Sequence, residues 1–143
     1  MKLFNKIVLL GVIVMGVSSC EINNLDDSFR NNDEKLCGRV WERSYVTDND
    51  DLCTQLLEFR AGSIGRTGTE FFEYRQKDRN GNWNDIPYRT ASYSFYWQWT
   101  DNEREGIIIE HSIDGTLYFD NVWVRINYLS GNLDGEEVTF YRR

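Results

Sequence analysis

The sequence is poor in the residues that usually build catalytic and metal sites. It has one histidine, His111, and three cysteines, and these do not follow the ligand spacing of a zinc site. It contains no Gly-x-Ser-x-Gly nucleophile elbow, no phosphate-binding glycine loop and no histidine-rich metal motif. We therefore expect no metal, no cofactor and no enzymatic activity, and we interpret His111 as a solvent-edge residue. A hydrolase that uses two of the many carboxylates is the remaining enzymatic alternative.

Basic residues are outnumbered by acidic ones. Lysine and arginine total 16 against 23 aspartates and glutamates, which gives a net charge of −7. A protein of this sign has no electrostatic reason to bind nucleic acid or anionic lipid headgroups. We expect no nucleic-acid partner.

The one long apolar run lies at the start of the chain. Residues Ile7 to Val17 follow two lysines and have the length of a signal-peptide core, which is too short to span a bilayer comfortably. The motif Val17-Ser18-Ser19-Cys20 resembles a lipobox, the site where bacterial signal peptidase cuts before a cysteine that carries diacylglycerol. We expect residues 1–19 to be a lipoprotein signal peptide and Cys20 to be lipidated. An ordinary secretory signal with an incidental Cys20 is the alternative.

A polar segment follows the lipobox. Residues 21–35 are rich in asparagine and aspartate and lack apolar periodicity, so the pattern predicts that residues 20–35 form a lipidated, flexible tether. Several acyl chains on Cys20 would hold the protein at a membrane. Acids soon after this cysteine resemble the stretches that send some Gram-negative lipoproteins to the outer surface. We expect an outer-membrane lipoprotein, periplasmic or surface-exposed, for which another envelope protein is a candidate partner.

Two cysteines remain once Cys20 is lipidated. Cys37 and Cys53 belong to an exported domain, where a pair of cysteines usually forms a disulfide. If each begins a strand of one hairpin, however, they lie at opposite ends, ~25 Å apart. That separation exceeds the limit of ~7 Å for a bridge. The sequence leaves both a disulfide and two free thiols open.

Residues 36–143 show the pattern of a single domain built from short strands. Eleven glycines and one proline separate segments in which apolar and polar residues alternate. Strands are expected near 38–46, 53–60, 64–76, 88–99, 106–111, 117–119, 122–126 and 138–141, the sixth and seventh being separate or one bent strand. Seven or eight antiparallel strands with short links favour an all-β up-and-down barrel. A β-sandwich is the alternative.

Four stretches carry a family resemblance that covers about residues 36–142. They are Leu36–Trp41 (LCGRVW), Leu57–Gly65 (LEFRAGSIG), the Phe95–Trp99 strand and the closing Leu129–Gly135 segment. Together they resemble the lipocalin-like lipoproteins of Gram-negative bacteria. The resemblance implies a compact lipocalin-like β-barrel, and true lipocalins bind ligands. True lipocalins place a tryptophan two residues after a glycine, whereas Trp41 lies three after Gly38, so their Gly–Trp barrel plug is not carried over.

An aromatic strand supplies the candidate ligand site. Because strand residues alternate between faces, Tyr93, Phe95, Trp97 and Trp99 share one side, and their drier face is expected to point inward. These rings are either core or the wall of a pocket for a small hydrophobic or aromatic-stacking ligand, such as a lipid or glycan fragment.

Two other tryptophans are candidate contact residues. Trp83 lies in a polar loop, where it either folds back over the barrel end or meets a partner. Trp123 alternates out of phase with its apolar neighbours and should lie outside, where Arg125 can stack on it. The alternative function is a packed barrel that binds an envelope protein and has no small ligand.

Overall fold

The computed structural model describes residues 30–143, which form a closed antiparallel barrel of eight strands in meander order. The strands are β1 (Val40–Val46), β2 (Leu52–Gly62), β3 (Gly65–Arg75), β4 (Arg89–Trp99), β5 (Ile107–His111), β6 (Gly115–Val124), β7 (Tyr128–Leu133) and β8 (Glu136–Arg142). Each strand pairs with the next, and β8 returns to β1. The predicted up-and-down barrel is confirmed, and the sandwich alternative is wrong.

The sixth and seventh expected strands are one bent strand. The register of β6 against β7 shifts between Asp120 and Trp123, and Asn121 adopts a φ of 48° there, as at a β-bulge.

Strand β7 was not predicted. Its serine, glycine and asparagine are residues typical of turns. A Cβ on Gly131 would lie 2.7 Å from the Asp120 carbonyl oxygen and 2.8 Å from the Phe119 ring. Glycine is therefore required for β7 to approach β6.

The segment before the barrel packs against it. Asn32 caps a short helix, α1 (Asp33–Leu36), by accepting a hydrogen bond from the Lys35 amide at 2.7 Å. The fully buried Asn31 donates to the carbonyls of Arg104 and Val122, and it accepts from the Val124 amide. Residues 30–35 thus belong to the barrel domain and not to the flexible tether that we predicted. No helix within residues 30–143 is long and apolar enough to cross a membrane.

The two ends of the barrel differ. The closed end carries α1 and the β2–β3, β4–β5 and β6–β7 links; the other end, the mouth, carries the remaining four links. Trp41 is fully buried near the closed end and donates from Nε1 to the Leu36 carbonyl at 2.9 Å. Gly38, with a φ of 69°, turns the chain between α1 and β1. Trp41 therefore packs between helix and barrel despite its spacing of three from Gly38.

Candidate functional site

The aromatic face of β4 points into the barrel, as predicted. Along this strand Phe95 and Trp97 are 3 % exposed, whereas Tyr96 is 68 % exposed. The Phe59 ring meets both buried rings edge-on, with centroids 5.3 Å from Phe95 and 5.6 Å from Trp97. Phe95 and Trp97 are packed in the core in this structure, so neither presents a free surface to a ligand.

Trp97 and Trp99 are held at the closed end by hydrogen bonds. Trp97 Nε1 donates to the carbonyls of Arg60 and Thr67 at 3.2 and 3.0 Å. The half-buried Trp99 donates to Asp33 Oδ1 in α1 at 2.7 Å. Of the four predicted ligand-binding residues, only Tyr93 lies on the mouth side of this packed region.

Four inward-facing rings near the mouth retain solvent access, and we call them the mouth rings: Tyr45, Phe72, Tyr74 and Tyr93. Tyr45 is 38 % exposed, and the other three are half-buried. The centroids of Phe72 and Tyr93 are 6.2 Å apart, as are those of Phe72 and Tyr74. These inward-pointing side chains therefore leave aromatic surface accessible to solvent at this end of the barrel.

A chain of polar side chains crosses the interior beside the mouth rings. Arg43 Nε donates to Gln55 Oε1 at 2.5 Å, and Gln55 Nε2 donates to Glu70 Oε1. The second Glu70 oxygen lies 2.8 Å from His111 Nε2. At its outer end, Arg43 Nη1 reaches Glu136 at 3.2 Å. We call Arg43, Gln55, Glu70 and His111 the polar chain; it joins β1, β2, β3 and β5.

His111 is buried, so the prediction of a solvent-edge residue is wrong. Its side chain is 2 % exposed, and its ring lies 5.4 Å from Tyr93, centroid to centroid. Nδ1 accepts from the amides of Ile113 and Asp114 at 3.2 and 3.1 Å, which places the proton of the neutral ring on Nε2. Nε2 faces Glu70, although it does not approach the carboxylate in hydrogen-bond alignment.

Glu70, His111 and Asp114 are also close enough to be considered as metal ligands. One nitrogen or oxygen atom from each lies within 4.8 Å of the others. Because two backbone amides occupy Nδ1 and the Nε2 proton faces Glu70, neither ring nitrogen offers a free lone pair. The hydrogen bonding therefore favours a histidine held by neighbouring protein groups over a metal ligand.

Burial governs the ionisation of Glu70. Removal from water raises the pKa of its carboxyl group, and this effect outweighs the opposing hydrogen bond from Gln55 and the attraction of His111. No pattern in the sequence marks Glu70 except its alternation with Gly68 and Phe72, which places all three on the inner face.

Trp83 and Trp123 lie outside the barrel interior. Trp83 is half-buried, and Lys77 lies over its ring at 4.7 Å. The ring therefore packs against its own loop. Trp123 lies under two guanidinium groups, Arg30 at 4.0 Å and Arg125 at 4.7 Å, which confirms the predicted arginine stacking.

Cys37 and Cys53 are free thiols. Tyr45 pairs with Cys53 near the mouth, whereas Cys37 directly follows α1 at the closed end. The hairpin geometry decides against the disulfide alternative. Burial, with a smaller contribution from Asp33, raises the pKa of Cys37 to about 11.

The signal peptide, Cys20 and most of the predicted tether lie outside the described residues. The chain matches no protein-family model, and comparison with curated proteins and with solved structures finds no match either. The candidate site is therefore defined by its own geometry: the mouth rings beside the polar chain.

Proposed function

We propose that this protein is a lipocalin-like binding module that takes a small ligand with an apolar or aromatic body into its mouth. The observation that carries the proposal is the accessibility of inward-facing rings: Tyr93 and Phe72 remain half-buried, whereas the closed end is packed. An eight-stranded barrel is just wide enough to hold one small ligand. Aromatic walls with a few convergent polar groups are typical of such sites.

The polar chain favours a ligand that also carries a polar group. Glu70 offers a carboxyl oxygen and Arg43 a guanidinium within the same interior. A glycan fragment or a lipid with a polar head would stack on the mouth rings and hydrogen-bond to these groups. Catalysis is not part of the proposal, because both nitrogens of His111 face protein groups and no free general base remains there.

Tyr93 and Tyr96 provide a matched test on one strand. Tyr93 faces the mouth, whereas Tyr96 is exposed on the outer face. We expect Tyr93→Ala to weaken binding of the aromatic probe 1-anilinonaphthalene-8-sulfonate about fivefold, since one stacking contact is worth ~1 kcal/mol. Tyr96→Ala should bind the probe as the parent does. Equal effects of the two substitutions, or no binding by the parent chain, would contradict the proposal.

We also propose that Cys20 anchors the module to the outer membrane. The support is the order of two lysines, apolar run, small residues and cysteine within residues 1–20. Palmitate labelling in a Gram-negative host should mark the parent chain and leave Cys20→Ala unmarked. Cys37→Ala serves as the control and should be labelled normally. An unlabelled parent chain would overturn the anchor without touching the ligand proposal.

The packed closed end favours a second candidate function. Phe59, Phe95 and Trp97 fill this part of the interior, as in a barrel that acts only through its outer surface. If the probe does not bind and a pull-down with the membrane fraction recovers one envelope protein, this second function replaces the first.

A further inference from the structure

A cleft at the closed end combines positive charge with apolar surface. It has a volume of about 430 Å³ and is lined by Lys35, Arg39, Val124, Arg125 and Ile126. We call it the basic cleft. Among the described residues, no carboxylate lines it, and Ile126 is 69 % exposed. This composition is unexpected in a chain whose net charge is −7.

Two further arginines lie close to the basic cleft without lining it. The Arg143 amide donates to the Val40 carbonyl at 3.0 Å, which places Arg143 beside Arg39. The Arg142 amide donates to the Asn127 carbonyl at 2.9 Å, next to Ile126. Glu42 offsets part of this charge through its contact with Arg143 at 3.4 Å.

One guanidinium nitrogen in the basic cleft lacks an acceptor. Arg39 Nη1 is buried without a hydrogen-bond partner among residues 30–143. A buried cationic donor left in this way is costly. Because Arg39 also lines the cleft, a rotation of its side chain would let this nitrogen donate to an anionic oxygen placed there.

Acids lie at both ends of the barrel: Asp33 and Glu34 in α1 and Asp101, Glu103 and Glu105 in the β4–β5 link are at the closed end, and a larger group is at the mouth. Asp48, Asp50 and Asp51 lie in the β1–β2 link, and acids also follow β7, at Asp134, Glu136 and Glu137. The net charge of the whole chain therefore does not give the local charge at either end of the barrel. Because charges are screened beyond about 10 Å in 0.1 M salt, a surface that meets the basic cleft itself experiences mainly the cations that line it.

The chain enters the described structure beside the basic cleft. The Arg30 carbonyl accepts from Arg125 Nη1 at 3.2 Å. Cys20 precedes Arg30 by ten residues, which reach about 35 Å even when fully extended. An anchor at Cys20 would hold the closed end near the bilayer.

We propose that the basic cleft docks the barrel on anionic lipid headgroups, with Ile126 entering the interface and the mouth facing away from the membrane. This inference rests on the proposed anchor for its geometry, and charge complementarity supplies the choice of partner. Lysine and arginine near an anionic surface contribute about 1 kcal/mol each. The prediction from net charge, that anionic headgroups are not bound, would then hold for the mouth and fail for the closed end.

The test uses the chain from residue 20 onward with Cys20→Ser, so that no acyl chain contributes. All eight strands and α1 lie within it. In 0.1 M salt, where charges beyond about 10 Å are screened, it should sediment with phosphatidylcholine vesicles that contain 30 mol % phosphatidylglycerol, and not with pure phosphatidylcholine. Changing Lys35, Arg39 and Arg125 to glutamine should weaken sedimentation on the order of 100-fold. The same change at the mouth, in Lys77, Arg79 and Arg89, alters the net charge equally and should have little effect.

A second pair of variants is independent of the hydrogen bonds that these arginines make. Ile126 at the closed end and Ile113 at the mouth are both 69 % exposed, so an aspartate is tolerated at either position. Ile126→Asp should weaken vesicle binding at least tenfold, and Ile113→Asp should leave it unchanged. Equal effects of Ile126→Asp and Ile113→Asp would overturn the proposal.

Two other results would also overturn it: no sedimentation of the parent chain, or release by 10 mM inorganic phosphate but not by chloride of equal ionic strength. The latter would show that the cleft recognises free phosphate. Failure here leaves palmitate labelling of Cys20 unaffected. A chain that takes up no palmitate yet sediments with phosphatidylglycerol would overturn only the anchor.

Discussion

Glu70 is a single residue whose charge the fold disfavours. Glu70 is only 7 % exposed to solvent, and this burial raises the pKa of its carboxyl group above the ordinary 4.5. The native state therefore binds this proton more tightly than the unfolded state does. Stability is lost as pH rises from 4.5 through the native pKa of Glu70.

A glutamine at position 70 removes this titration. We expect the free energy of unfolding of the parent chain to fall relative to Glu70→Gln as pH rises above 4.5, by up to ~1.4 kcal/mol per pH unit. Urea denaturation of both proteins between pH 4.5 and 7.5 measures the difference. A difference that stays constant, or that changes in favour of the parent chain, would contradict the raised pKa.

The residues that the sequence analysis missed are polar side chains that the fold buries. Asn31 was interpreted as part of the tether because it stands among other asparagines and aspartates, yet it hydrogen-bonds to the bulged strand β6. His111 and Glu70 lie 41 positions apart in the sequence, and they meet because β3 and β5 both pair with β4 in a curved sheet. Contacts of this kind depend on register, which alternation alone does not determine.

At the scale of elements, the alternation of apolar and polar residues predicted which side chains face inward better than it predicted where each strand begins and ends. The inward face of β4 follows from its period of two, and the barrel follows from successive short links. The expected strand at 117–119 was too short because Asn121 and its bulge interrupt the alternation. Strand β7 was missed because glycine is typical of turns, whereas Gly131 lies within a strand and allows β7 to approach β6 closely.

Gly68 in β3 offers a test of such a close approach. A Cβ at this position would lie 2.1 Å from the Phe95 ring and 2.8 Å from the Glu58 carbonyl oxygen. Because Phe59 packs against Phe95, the ring cannot move away freely. We expect Gly68→Ala to lower the free energy of unfolding by about 2–3 kcal/mol.

Gly62 is the matched control in the same hairpin. A Cβ on Gly62 would have no neighbouring atom within 4 Å, so Gly62→Ala should change the free energy of unfolding by less than ~0.5 kcal/mol. Urea denaturation midpoints of both variants give the comparison. Equal stabilities would show that Phe95 is less tightly held than the structure indicates.

At the scale of the whole molecule, the barrel is an asymmetric object. One end is packed, capped by α1 and bordered by the basic cleft; the other carries solvent-accessible aromatic rings and many acids. The composition alone predicted the net charge but not its separation, because Lys35, Arg39 and Arg125 are distributed along the sequence. Such an arrangement suits a protein that presents one end to a membrane and the other to a ligand.

The closure between β1 and β8 is the weakest part of the ring. Only two residue pairs join these strands, Trp41 with Arg142 and Glu42 with Tyr141, whereas eleven pairs join β2 with β3. A groove of about 330 Å³ lies along the seam and includes Arg43 of the polar chain. Arg43 spans the gap by its contact with Glu136 at 3.2 Å.

We therefore expect the seam to open before the rest of the barrel. In amide hydrogen exchange followed by NMR, alternate amides of residues 43–46 should exchange orders of magnitude faster than those in the middle of β3, because they face no partner strand. Arg43→Gln, which loses the contact with Glu136, should speed exchange of the Glu42 amide, which faces β8, while Arg79→Gln in the β3–β4 link should not. Uniform protection around the barrel would show that two residue pairs suffice to close it.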